Sequence, residues 1–150
     1  MKKSSVLVAT LAGIAMLFLS APLYAGTNFE DVIKLNETSY KHTKGIIEFS
    51  HAKHVDEYKN GCGECHHNDK GEPLSDLKKG DDVKRCVECH SKPGEIKGKE
   101  AKGLSKEEKR QYHANALHDN CRNCHKAYNK KNNTKAAPTS CTKCHPKKKK

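Results

Sequence analysis

All eight cysteines of the chain fall into one five-residue pattern that occurs four times. Each copy has two cysteines separated by two residues, and a histidine follows the second cysteine directly. The copies span residues 62–66, 86–90, 121–125 and 141–145. This C-x-x-C-H pattern is the attachment signature of c-type haem: the two thiols form thioethers to the porphyrin, and the histidine binds the iron as its proximal ligand.

The pattern therefore predicts four covalent haem c groups. The predicted thioether cysteines are Cys62, Cys65, Cys86, Cys89, Cys121, Cys124, Cys141 and Cys144. The predicted proximal iron ligands are His66, His90, His125 and His145. Two other uses of cysteine compete with haem, namely a disulfide framework and a pair of zinc sites. Neither needs a histidine after each cysteine pair, and chance would place one after all four pairs about once in fifty thousand sequences.

The first 25 residues are predicted to be a cleaved secretory signal peptide. Lys2 and Lys3 precede an uncharged apolar run from Val6 to Ser20, and small residues lead to a cleavage site after Ala25. A membrane anchor is the alternative, but the run is shorter than the roughly 20 apolar residues that a span requires. We therefore expect one periplasmic domain over residues 26–150, in which residues 146–150 form a basic tail.

The expected mature domain is too poor in apolar residues to build an ordinary core. Leu, Ile, Val and Phe together provide 15 of its 125 residues, or 12%, and below about 20% a charged chain is expected to be disordered. Four haem macrocycles would supply the missing apolar mass, so that haem binding provides folding free energy. We expect the haem-free chain to be unfolded.

The predicted fold is mainly α-helical with much loop and a short β-hairpin or strand, organised around the four haems. Residues 45–49 read as a short strand. Ser105 and Glu108 form a capping box that opens a helix reaching about Leu117, and residues 126–140 read as loop.

The second axial ligand of each iron is expected to be a histidine. Both methionines, Met1 and Met16, lie in the predicted signal peptide, which excludes methionine ligation in the mature chain. Six histidines remain as candidates outside the four motifs. They are His42, His51, His54, His67, His113 and His118.

Spacing limits which irons these histidines can reach. His51 and His54 share one face of a helical turn, so they must serve two different haems. His67 follows a proximal histidine directly and must bind a further iron. His113 and His118 face differently on the predicted helix; we prefer His118 as the fourth distal ligand because it lies at the helix end, and we expect His42 to be exposed.

These residues resemble class III cytochrome c, the small tetrahaem cytochromes of sulfate-reducing bacteria and their relatives. The resemblance covers residues 46–145 and rests on Phe49-x-His51-x-x-His54, on the Cys62–His67 segment and on the residues from Tyr112 to Asp119. Relatives often have four residues between the cysteines at the second and fourth sites, whereas all four sites here have two. The family's scheme implies the axial pairs His66 with His51, His90 with His67, His125 with His54, and His145 with His118.

The resemblance also implies low reduction potentials and a periplasmic electron shuttle that serves hydrogenases and membrane redox complexes. Removing Lys2 and Lys3 leaves 27 basic and 18 acidic residues, a net charge of +9, which suits acidic docking surfaces or a weak association with an anionic surface. Export makes nucleic acid an unsuitable partner. We expect an electron-transfer protein rather than an enzyme, and the alternative is a multihaem reductase of metal ions or small oxyanions.

Overall fold

Short helices and turns joined by loops make up most of the chain. The computed structural model describes residues 29–147, so the predicted signal peptide and the last three lysines lie outside the described residues. The described strands are β1, Val32–Lys34, and β2, Glu48–Ser50. The described α-helices are α1, Cys86–Cys89; α2, Lys106–Arg110; α3, His113–Lys131; and α4, Cys141–Cys144. A π-helical turn spans Lys53–Glu57 and a 3₁₀ turn spans Cys62–Glu64.

The two strands form an antiparallel sheet that leads directly into the first distal-ligand candidates. Ile33 pairs with Phe49 at its centre, and β2 ends at Ser50, one residue before His51. The strand predicted at residues 45–49 is found at 48–50, where all three of its residues pair with β1. The expected fold class, mainly helix and loop with a short hairpin-like sheet, is confirmed.

The helical region after the second motif differs from the prediction at its end. Ser105 caps α2 as expected: its hydroxyl accepts from the Glu108 amide at 3.1 Å, and the Glu108 carboxylate accepts from the Ser105 amide at 2.7 Å. A break at Gln111 and Tyr112 separates α2 from α3. Helix α3 then passes Leu117 and continues through the third motif to Lys131, so the prediction of a helix end near Leu117 was wrong. The loop predicted over residues 126–140 begins instead at residue 132.

Within residues 29–147, no hydrophobic side chain is fully buried. The buried residue described there is a polar one, His113, which is 8% exposed. A folded chain normally buries Leu, Ile, Val and Phe first. The described side chains therefore form no hydrophobic core of their own.

A segment near the start of the described chain meets its C-terminal end at the fourth motif. Gly45 lies against Pro146, where an added Cβ atom would collide with the proline carbonyl. The Gly45 carbonyl also accepts from Nδ1 of His145 at 2.9 Å, across 100 residues of sequence. No helix among residues 29–147 is both long and apolar enough to cross a membrane.

Candidate haem sites

Each C-x-x-C-H motif lies on a helical turn, and the turn explains the spacing. The amide of the motif histidine donates to the carbonyl of the first cysteine in His66–Cys62, His90–Cys86 and His145–Cys141, at 2.8–2.9 Å. The third motif continues the same geometry inside α3. Residues three and four positions apart share one face of a helix, so both thiols and the imidazole of each motif face the same side.

The arrangement of the cysteines does not suit either competing use. All eight are free thiols in the structure, so they form no disulfide framework. Across residues 29–147, no three side chains of the His, Cys, Asp or Glu type converge on a point that could hold a metal ion. Zinc in a structural site needs four such donors, and the cysteine pairs therefore lack the partners that zinc sites require.

Every motif histidine faces one histidine from outside the motifs. Ring centroids lie 6.4 Å apart for His51 and His66 and 5.9 Å apart for His67 and His90. They lie 6.3 Å apart for His54 and His125 and 6.2 Å apart for His118 and His145. The structure thus brings together the same four pairs that the family resemblance implies.

These separations suit an iron atom between two imidazoles. Bonds from imidazole nitrogen to a metal are about 2.0–2.1 Å long, as seen with zinc. A five-membered ring with bonds near 1.33 Å places its centroid about 1.1 Å from each nitrogen. Two imidazoles on opposite sides of one metal therefore have centroids about 6.3 Å apart. The four observed separations, 5.9 to 6.4 Å, fit this value.

Hydrogen bonds to Nδ1 leave the other ring nitrogen, Nε2, available to bind a metal. In six of the eight candidate ligands, Nδ1 lies 2.6–3.2 Å from a backbone carbonyl oxygen. A carbonyl can only accept, so Nδ1 must carry the proton and Nε2 must present its lone pair. The six histidines are His51, His54, His67, His90, His125 and His145. Such bonds fix the tautomer and the ring orientation that a metal ligand needs.

The electrostatics of the first and third motifs favour neutral side chains. Burial lowers the pKa of His66, and the nearby His51 and His67 lower it further, which keeps the ring unprotonated as ligation requires. Cys121 keeps contact with solvent, but the atoms around its thiol desolvate it and raise its pKa to about 11, with further contributions from Cys65 and Cys144. A protonated thiol is a poor nucleophile and a poor metal ligand.

The two remaining histidines have other roles. His42 uses Nε2, the nitrogen that the ligand candidates leave free, to donate to the Glu37 carbonyl at 2.6 Å. It is half-buried, so the prediction that it is exposed was wrong. His113 is buried at the start of α3, with Nδ1 3.0 Å from the Tyr40 hydroxyl. Its position five residues before His118 places it away from the His145 ring.

Aromatic side chains support the first distal histidine, and sequence reasoning missed one of them. Phe29 stacks on His51, with ring centroids 4.3 Å apart and an interplanar angle of 26°. Phe49 contacts both His51, at 5.7 Å, and His54, at 4.7 Å. The Lys79 ammonium lies 4.3 Å from the Phe29 centroid on this cluster. No local motif marks Phe29, because it reaches His51 only through the pairing of β1 with β2.

Comparison with known proteins identifies the family. Searches of curated proteins and of solved structures each return no match. A sequence model of the class III cytochrome c family matches residues 29–145, which include all four motifs and all eight candidate axial histidines. Proteins of this family are small multihaem electron carriers with covalently attached haem c. The chain therefore belongs to the class III cytochrome c family.

Proposed function

We propose that this protein is a periplasmic, low-potential electron carrier that holds four covalent haems, each with two histidine ligands. The observation that carries the proposal is the set of four histidine pairs, because each pair joins one motif histidine to one histidine from elsewhere at 5.9–6.4 Å. Bound haem iron supplies one-electron redox chemistry, and the protein sets its potential through the axial ligands, their hydrogen bonds and burial.

The proposed ligand scheme follows from the pairs. One haem would be held by Cys62, Cys65, His66 and His51. Another would be held by Cys86, Cys89, His90 and His67. The third would be held by Cys121, Cys124, His125 and His54. The fourth would be held by Cys141, Cys144, His145 and His118. With two imidazoles at every iron, no coordination position stays open for a substrate, which favours electron transfer over enzymatic reduction of oxyanions.

The short segment that contains three of the distal ligands would hold the haems close together. His51 and His54 lie on one turn, yet they face His66 and His125 respectively. His67 then faces His90, one residue after His66 itself. Histidines within residues 51–67 would thus bind three irons, a compact arrangement suited to electron exchange between haems.

We further propose that redox proteins with acidic docking surfaces are the partners, such as a hydrogenase or a membrane cytochrome complex. Lysines are frequent and exposed between Lys92 and Lys106 and at Lys143 near the fourth motif. A surface of this charge steers an acidic partner and gives weak, salt-sensitive complexes. The signal-peptide pattern of residues 1–25 supports a periplasmic location.

Rapid mixing of the reduced protein with an acidic electron-accepting protein tests this function. We expect fast oxidation at low salt and a rate that falls steeply as ionic strength rises. Incubation of the reduced protein with nitrite serves as the comparison, and we expect no sustained nitrite consumption. Continuous turnover of nitrite would contradict the carrier and support the reductase.

A further inference from the structure

The proposed distal ligand His118 has a different partner from the other ligands. Six of the eight candidate ligands have Nδ1 at a neutral backbone carbonyl. Nδ1 of His118 instead lies 3.3 Å from a carboxylate oxygen, Oε1 of Glu95. The two side chains are 36% and 32% exposed, so water screens their interaction only in part.

The position of Glu95 is fixed by the helix that carries His118. Ala114 at the start of α3 donates its amide to the Gly94 carbonyl at 2.9 Å. Asn115 then binds both backbone groups of Ile96, accepting from its amide at 2.8 Å and donating to its carbonyl at 3.1 Å. Glu95 thus lies between two residues that are held to the first turn of α3, and its carboxylate is directed along the helix toward His118.

A lysine holds the second oxygen of the same carboxylate. Nζ of Lys97 lies 2.8 Å from Oε2 of Glu95, the carboxylate oxygen that does not contact His118. The Lys97 side chain is 75% exposed, so its charge is well screened and offsets the carboxylate only in part. A net negative charge therefore remains beside the His118 imidazole.

We propose that Glu95 is a positioning residue for His118 and lowers the reduction potential of the haem attached at Cys141 and Cys144, relative to a neutral partner in its place. A carboxylate at Nδ1–H increases the basicity of a metal-bound imidazole. Greater electron donation and the negative charge both stabilise ferric iron, which carries one more positive charge than ferrous iron. The inference rests on the proposed histidine ligation of this haem and goes beyond it.

Glu95→Gln tests the proposal, because glutamine keeps the size and an acceptor oxygen but removes the charge. Loss of one outer partner of a metal ligand typically costs about 10- to 100-fold in metal affinity or activity, and the smaller factor sets the scale here. A tenfold shift of the ferric–ferrous equilibrium toward ferrous iron is a rise of about 59 mV for a one-electron couple. We expect a rise of this order at one haem, followed through the haem methyl signals in nuclear magnetic resonance during a reductive titration at fixed pH.

Two further variants distinguish the effect of the Glu95–His118 contact from the effect of losing any charge in the same loop. Glu100→Gln removes an equal charge from an exposed position in the same loop, and we expect a much smaller shift at every haem. Lys97→Gln should lower the potential of the same haem, and the part of this change that Lys97 exerts through Glu95 should be lost in the Glu95→Gln background.

The outcomes distinguish this inference from the proposed function. Four covalent haems in the wild-type protein with an unchanged titration of Glu95→Gln would overturn the role of Glu95 alone. An equal shift from Glu95→Gln and Glu100→Gln would overturn it as well. Fewer than four haems, or no His118 signal among the iron ligands, would overturn the ligand scheme from which the inference starts.

Discussion

At the scale of single residues, backbone hydrogen bonding distinguishes six of the eight candidate ligand histidines from His42. His51 and His42 have the same side chain and lie nine residues apart, but the backbone engages Nδ1 of the first and Nε2 of the second. Only the first arrangement leaves Nε2 free for iron. The distinction depends on three-dimensional contacts, so the sequence can count six candidate histidines without assigning each one.

Replacing His67 by alanine should open one iron and leave the other three unchanged. His67 faces His90 at 5.9 Å, so its loss would leave one haem with a single axial histidine. We expect high-spin character at that haem and binding of about one carbon monoxide per reduced molecule, measured by absorption titration. His42→Ala is the matched control and should bind none. Equal binding by both variants would contradict the assignment of His67.

A site residue can be predicted from the sequence when it belongs to a local motif, and not when its role depends on a long-range contact. The cysteines and the histidines that follow them form a local motif, so the sequence alone predicts four haem attachment sites. The distal pairs came from the family resemblance, because a distal ligand needs only to reach the iron from any part of the chain. Glu95 and Phe29 carry no motif and depend on long-range contacts, which is why the sequence did not reveal them.

At the scale of elements, helix ends were harder to predict than helix starts. The start of α2 has a capping box, which is a local signal. Helix α3 has no Gly or Pro from His113 to Lys131, and it stops where Asn133 adopts a left-handed conformation with φ of 48°. Asparagine tolerates that conformation, and lysines in the last turn favour the end of a helix. The prediction that stopped near Leu117 overlooked that the haem motif itself is compatible with a helix.

Removing the cap of α2 should destabilise the folded protein by a small, measurable amount. The Ser105 hydroxyl accepts from the Glu108 amide at 3.1 Å, and loss of such a cap costs about 1 kcal/mol. We expect Ser105→Ala to lower the free energy of unfolding of the haem-loaded protein by that amount in denaturant titrations. Ser75→Ala, at an exposed position outside any helix, should change it by much less. Equal effects from the two variants would argue against the cap.

At the scale of the whole molecule, the protein lacks a core made of its own side chains. The described segment has no fully buried hydrophobic residue, and the composition anticipated this because apolar residues are so few. The overall fold class was therefore predictable, whereas the course of each loop was not. Loops here depend on single long-range contacts such as that of Gly45 with Pro146, which no local sequence pattern predicts.

The chain without haem should be unfolded. Four macrocycles would supply the apolar contacts that the side chains do not, so their loss removes the main folding free energy. We expect the protein produced without a haem-attachment system to exchange its amide hydrogens at rates close to those of an unstructured peptide. The haem-loaded protein is the reference, with protected amides in α3. Protected amides in the haem-free chain would contradict this account.

Intact mass and the reduced visible spectrum of the mature protein, produced with a haem-attachment system, test the central claim most directly. We predict a mass excess of four haems over the chain from residue 26, and low-spin c-type bands that carbon monoxide leaves unchanged, because every iron has two histidine ligands. A mass without haem, or with fewer than four, would contradict the tetrahaem assignment. A carbon monoxide shift in the wild-type protein would contradict histidine ligation on both sides of every iron.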